Sequence, residues 1–210
     1  MTKKLYEQIS KDHLTEIIDG LYLQIVWVCL CIDSLEAMNN IEKEKFNIAN
    51  NFFYITHTSL IFRYTMELAK LLSEKEKYSF YRICNLCSSN VQYFESFDIV
   101  DYCKLAKKQV NKYSNTIQNI IERRNKTLAH NDSEYYLFSE KVIADFPLDV
   151  SEIKEMSTII LNFAKTIQKK IGSKRACLGY PSNSDDVKRL FGKKTDDDIL
   201  LEEIDNLEWR

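Results

Sequence analysis

An all-α fold is what the sequence predicts, and three observations predict it. Glycine and proline are scarce, at 4 and 2 in 210 residues. Apolar residues recur in alternating steps of four and three over long stretches, the period of one helix face. The apolar fraction is 45%, enough for a buried core in a chain of this length. A sandwich or barrel would need many more turn residues.

The first helix is predicted from Leu14, Ile18, Leu21, Ile25, Val28, Ile32 and Leu35, with Asn39-Asn40 as its stop. Asn50-Asn51 opens a second helix carrying Phe53, Leu60, Tyr64, Leu68 and Leu71, and Ser73-Glu74-Lys75-Glu76 is a polar break. A shorter third helix is expected from about Tyr78 to Ser88. Asp98 caps a long fourth helix whose seam runs Ala106, Val110, Tyr113, Ile117, Ile120 and then Arg124. Asn131-Asp132-Ser133 stops that helix, and Tyr135 to Phe146 reads as an irregular loop. Pro147 with Asp149 or Ser151 starts a fifth helix through Ile159, Phe163 and Ile167 that ends near Gly172. Residues 1–178 form the expected body. Residues 179–210 are read as a linker, a short helix begun by Asp185-Asp186 and ending near Phe191, and an acidic helical tail with Ile199, Leu200, Ile204 and Leu207.

Charge and thiols narrow the function classes. The net charge is -2, so no overall basic field exists and a polyanion must be met by a local patch. The opening residues lack a signal-peptide core, and the apolar run Leu21 to Ile32 is too short to span a bilayer. A cytoplasmic protein with no membrane partner is expected. The six cysteines fall mostly inside predicted helices, as small buried hydrophobes. Cys84-x-x-Cys87 has no second pair at a finger-like spacing, the cysteines are scattered, and His13 and His57 lie far from the third histidine, His130, so no metal or cofactor site is expected. His13 reads as a surface residue, and Trp27 and Trp209 as packing residues.

The stretch richest in chemistry is Arg123-Arg124-Asn125-Lys126-Thr127-Leu128-Ala129-His130-Asn131-Asp132. Arg124 stands where the seam calls for an apolar side chain, a position costly for a cation unless it is paired or faces a wet cleft. From Lys104 to His130 the cations are Lys104, Lys107, Lys108, Lys112, Arg123, Arg124 and Lys126, with Glu122 the one acid. A guanidinium that holds a phosphate and an imidazole that moves a proton near neutral pH suffice for metal-free phosphodiester cleavage. Lys108, Lys112, Arg123, Lys126 and Asp132 are the expected RNA contacts around it, and Tyr113, Tyr135 and Tyr136 are candidates for base stacking. On an ideal helix six residues turn through roughly 600°, so Arg124 and His130 point about 120° apart and start about 9 Å apart along the axis. A helix that ends or distorts, an arginine that reaches along the axis, or a second copy that brings its own pair would each join them.

The run Arg124-Asn125-Lys126-Thr127-Leu128-Ala129-His130-Asn131-Asp132, followed by Tyr135-Tyr136, resembles the signature of HEPN domains (higher eukaryotes and prokaryotes nucleotide-binding). It is most similar to the AbiU-type abortive-infection branch. Phe146-Pro147-Leu148 and Asn183-Ser184-Asp185-Asp186-Val187 are also typical of that branch. The resemblance covers Leu14 to Leu190. It implies an up-down antiparallel bundle of about five main helices with a short C-terminal helical tail, and a homodimer with the motif at its cleft. It implies RNA as substrate in a toxin or phage-defence setting, with an antitoxin or other defence protein as a further partner. Carried over, Arg124 and His130 are the catalytic pair and Asn125 the supporting polar residue. In the HepT branch a tyrosine two places after the histidine is nucleotidylated. Asp132 stands there in this chain, so that control is not expected. The rival expectation is a non-catalytic module for RNA, nucleotide or partner binding, in which Arg124 pairs with Asp132 or Glu122 and His130 caps a helix end.

Overall fold

The computed structural model describes residues 8–41, 50–129, 139–177 and 184–190, with the side chains of 127–129, 139, 140, 176, 177, 184 and 188 outside that description. Every regular element among the described residues is helical: α1 (Lys11–Asn39), α2 (Asn50–Leu72), α3 (Phe80–Ser89), α4 (Ile99–Val110), α5 (Ser114–Arg123), α6 (Ser139–Asp145), α7 (Val150–Ile171) and α8 (Ser184–Leu190). The fold is the all-α, HEPN-like bundle that the periodicity and the resemblance foretell. The acidic tail from Thr195 and the linker around Tyr180 lie outside the described residues.

The chain divides into two compact units, one of Met1–Cys29 with Phe62–Gly179, the other of Leu30–Ile61 with Tyr180–Arg210. The first unit holds the largest buried side chains. Leu14, Ile18, Leu21 and Ile25 from α1 and Leu68, Leu71 and Leu72 from α2 are buried, as are Phe80, Ile83, Phe94, Ile99 and Phe163. Phe163 packs edge-to-face on Phe80 at 5.3 Å and stacks on Tyr102 at 5.6 Å. Such pairs add roughly 0.5–1.5 kcal/mol beyond area burial. One buried polar knot joins distant segments: the Asp19 carboxylate accepts from Gln168 Nε2 and from Ser173 Oγ, each at 2.7 Å. Caps set the helix ends. Ser79 accepts from the Arg82 amide at 3.4 Å, and Asp149 from those of Ser151 and Glu152 at 2.8 and 3.1 Å. Gly172 closes α7 in the left-handed conformation at φ 80°. In the second unit the end of α1 buries Leu30, Cys31, Ile32, Leu35 and Met38, Ile41 just beyond it is buried too, and α2 exposes Phe52, Tyr54 and Ile55.

Several expectations are refined. The long fourth helix is broken. A 3-10 turn over Asn111–Tyr113 separates α4 from α5, and α5 passes into a π-helical stretch over Arg124–Ala129. Asparagine is a poor helix former, and Asn111 Oδ1 is drawn away to accept from Tyr81 Oη at 2.7 Å. The core seam nonetheless survives the break, with Ala106, Val110, Ile117 and Ile120 buried. Part of the expected loop 135–146 is the helix α6. Its one buried apolar anchor is Val142, too little for a visible period. The apolar run Leu21 to Ile32 belongs to the 29-residue α1, which by length and composition is able to cross a membrane, and 67% of its apolar window is buried within the protein. Cys29, Cys31, Cys84, Cys87 and Cys103 are buried and unlinked. No group of metal-ligating side chains occurs among the described residues. His13 is exposed, within 3.5 Å of Glu16. Trp27 is exposed rather than packed, with the Arg63 guanidinium 4.8 Å above its ring.

Candidate functional site

The site is built where α5 ends. Four polar contacts fasten α5 to the start of α7 and the residues before it. Asn119 Nδ2 donates to the Pro147 carbonyl at 2.8 Å and Arg123 Nε to the Phe146 carbonyl at 2.6 Å. Tyr113 Oη donates to Glu155 at 2.7 Å, and Thr116 Oγ1 donates to Glu152. Ile117 and Ile120 bury the apolar face of the same helix. The next residue of that seam is Arg124, and there the α-helical pattern gives way to the π stretch Arg124–Ala129. Such stretches widen the turn and occur frequently at functional sites. Ideal α-helical spacing therefore does not apply within Arg124–Ala129.

The Arg124 guanidinium is about three-quarters shielded, at 27% side-chain exposure. Its Nη1 donates to Asn125 Oδ1 at 3.3 Å and its Nη2 to Glu76 Oε1 at 3.3 Å. Its Nε is buried and has no hydrogen-bond partner among the described residues. Both contacts are longer than the 2.7–2.9 Å typical of a strong charge-assisted bond. The group is thus held from two sides, and one edge of its fork is incompletely satisfied. Glu76 lies in the polar segment between α2 and α3, a segment fixed by the Ser73 amide bonding to Ala69 and by Arg82 Nε bonding to the Glu74 carbonyl. Nothing in the local sequence singles out Glu76. Its partner is 48 positions away, and only the folded chain brings the two together.

The other expected site residues fall in different places. Asn125 lies beside Arg124 and touches it. Arg123 points at the Phe146 carbonyl, and burial lowers its pKa. Burial also raises the Tyr64 hydroxyl, an effect that the nearby Arg123 partly offsets. Lys126 is half-buried within the π stretch. Lys108 and Lys112 are exposed, on α4 and the 3-10 turn. Of the remaining cations, Lys104 pairs with Asp101 at 2.7 Å and Lys107 donates to Asn85. Glu122 accepts from Gln118 at 2.8 Å, whereas the acid on Arg124 among the described residues is Glu76. His130, Asp132, Tyr135 and Tyr136 lie outside the described residues.

An all-α chain with an arginine–asparagine pair six residues ahead of a histidine fits the HEPN pattern. Residues 11–191 match the HEPN family described as AbiU2. The chain belongs to that family, and with it to the abortive-infection HEPN domains. No curated protein matches the chain, and no solved structure does.

Proposed function

We propose that the chain is a metal-independent endoribonuclease, acting as a toxin or phage-defence effector. The observation that carries this reading is the Arg124 guanidinium, kept partly shielded at the π stretch with an Nε that has no partner among the described residues. Desolvation strengthens its pull on an anion, and its planar fork suits two non-bridging phosphate oxygens. In the reaction the substrate's 2'-hydroxyl attacks the adjacent phosphorus. The O2'–P bond forms and the P–O5' bond breaks. His130 moves a proton, as base on the hydroxyl or acid on the leaving oxygen. Arg124 stabilises the charge that builds on the non-bridging oxygens. Asn125, hydrogen-bonded to Arg124, orients that guanidinium. The products are a 2',3'-cyclic phosphate and a 5'-hydroxyl. A homodimer would bring two motifs to one cleft, and Lys108, Lys112 and Lys126 would guide the strand. Purified protein should cut RNA and spare DNA in the presence of EDTA. Cleavage that requires a metal, or that persists in His130→Ala, would overturn the mechanism.

A second reading is a non-catalytic module for RNA, nucleotide or partner binding. It is favoured by the acid already on Arg124, which lets the guanidinium serve as a structural ion pair with Glu76. It predicts binding without turnover, and an antitoxin or other defence protein as ligand.

A further inference from the structure

The Glu76–Arg124 contact has the geometry of a contact made to be replaced. A guanidinium presents Nε–H and one Nη on the same side as a two-pronged edge, and a phosphate or carboxylate satisfies both prongs at once. Here Glu76 fills the Nη2 prong alone, through one oxygen at 3.3 Å, while Nε is shut off from solvent with no partner among the described residues. An unpartnered buried donor is unfavourable, so the edge is better served by an anion that takes both positions. Glu76 itself is 40% exposed, and its side chain has a solvated alternative. Lys75 and Lys77 flank it and are exposed, with Glu74 beside them, so the two lysines stand within the segment that an incoming phosphate would meet.

Resting on the nuclease reading of the site, we propose that Glu76 is a built-in counterion, an internal stand-in for the scissile phosphate that RNA must evict before Arg124 can act. It sets a threshold on substrate binding and keeps the empty site quiet. A structural ion pair would lose function when broken, whereas a competing anion, once neutralised, leaves the site easier to occupy.

The test is binding of a single-stranded, fully 2'-fluoro oligonucleotide, which keeps every phosphate and lacks the attacking hydroxyl. Glu76→Gln should bind it about two- to fivefold more tightly at low salt, the range expected for releasing one partly exposed ion pair. The slope of log affinity against log salt should also steepen, since the freed guanidinium now carries a solution anion that the strand releases. Glu76→Ala should move both readouts the same way, with unchanged thermal unfolding showing an intact fold. Neither change should appear when Arg124→Gln is also present. Equal or weaker binding by both Glu76 variants overturns the proposal, as does a gain that survives Arg124→Gln. Cleavage of unmodified RNA, measured in parallel, separates the two ideas. Cutting with no gain in affinity removes the counterion alone. A gain without cutting removes the nuclease reading and leaves the counterion. Binding by no variant removes both.

Discussion

Arg124 is the residue on which most turns, and its identity matters beyond its charge. Lysine offers no planar fork, so Arg124→Lys should retain RNA binding yet lose about a hundredfold or more in kcat, the usual cost of removing one stabiliser of developing charge; single-turnover cleavage checks this. Loss of binding with kcat intact would reassign the residue to docking. Titration gives a second residue-scale expectation. Burial, helped by Glu74 and Cys84, pushes the Tyr81 hydroxyl up to about 12, and burial raises Tyr64 in the same direction. In the unfolded chain a tyrosine ionises near about 10. The contribution of Tyr81 to stability is thus whole below about pH 10 and is lost as pH rises from 10 towards 12, and that of Tyr64 is lost in the same sense. Urea unfolding across that window should show the fall, and Tyr81→Phe should flatten it. Sequence reading picks out Arg124 because a cation interrupts an apolar seam. It does not reach Glu76, which is one acid in a polar break until folding sets it against a partner 48 residues away.

Among the elements, those with a long apolar period are legible and those without are not. The seven seam positions of α1 from Leu14 to Leu35 are all buried, and α7 runs between the cap and the glycine that its sequence displays. The Asn111–Tyr113 turn and the π stretch leave no such signature. An asparagine within a helical pattern is common, and the partner of Asn111 is a tyrosine thirty positions earlier. The short α6 is hidden for a related reason, since it presents a single buried anchor. Gly172 offers a test at this scale. A Cβ there would meet nothing within 4 Å, so the whole penalty of Gly172→Ala comes from the left-handed backbone. That conformation costs a residue with a Cβ roughly 1–2 kcal/mol, which denaturant melts should report with cleavage unaffected.

At the scale of the molecule, two copies are expected to share one RNA groove. Sedimentation should give twice the chain's mass. Mixed oligomers of wild type with His130→Ala should lose activity out of proportion to the mutant fraction if both motifs serve one cut; strict proportionality would mean that each copy works alone. Folding also has a built-in order. The two donors that bond to the interior carboxylate of Asp19 stand 149 and 154 positions further along. While the ribosome is still adding residues up to Ser173, that acid has neither of them, and an acid without donors does not settle inside a core. The knot around Asp19 therefore closes only once the chain has been made past the stretch bearing the Arg-His motif.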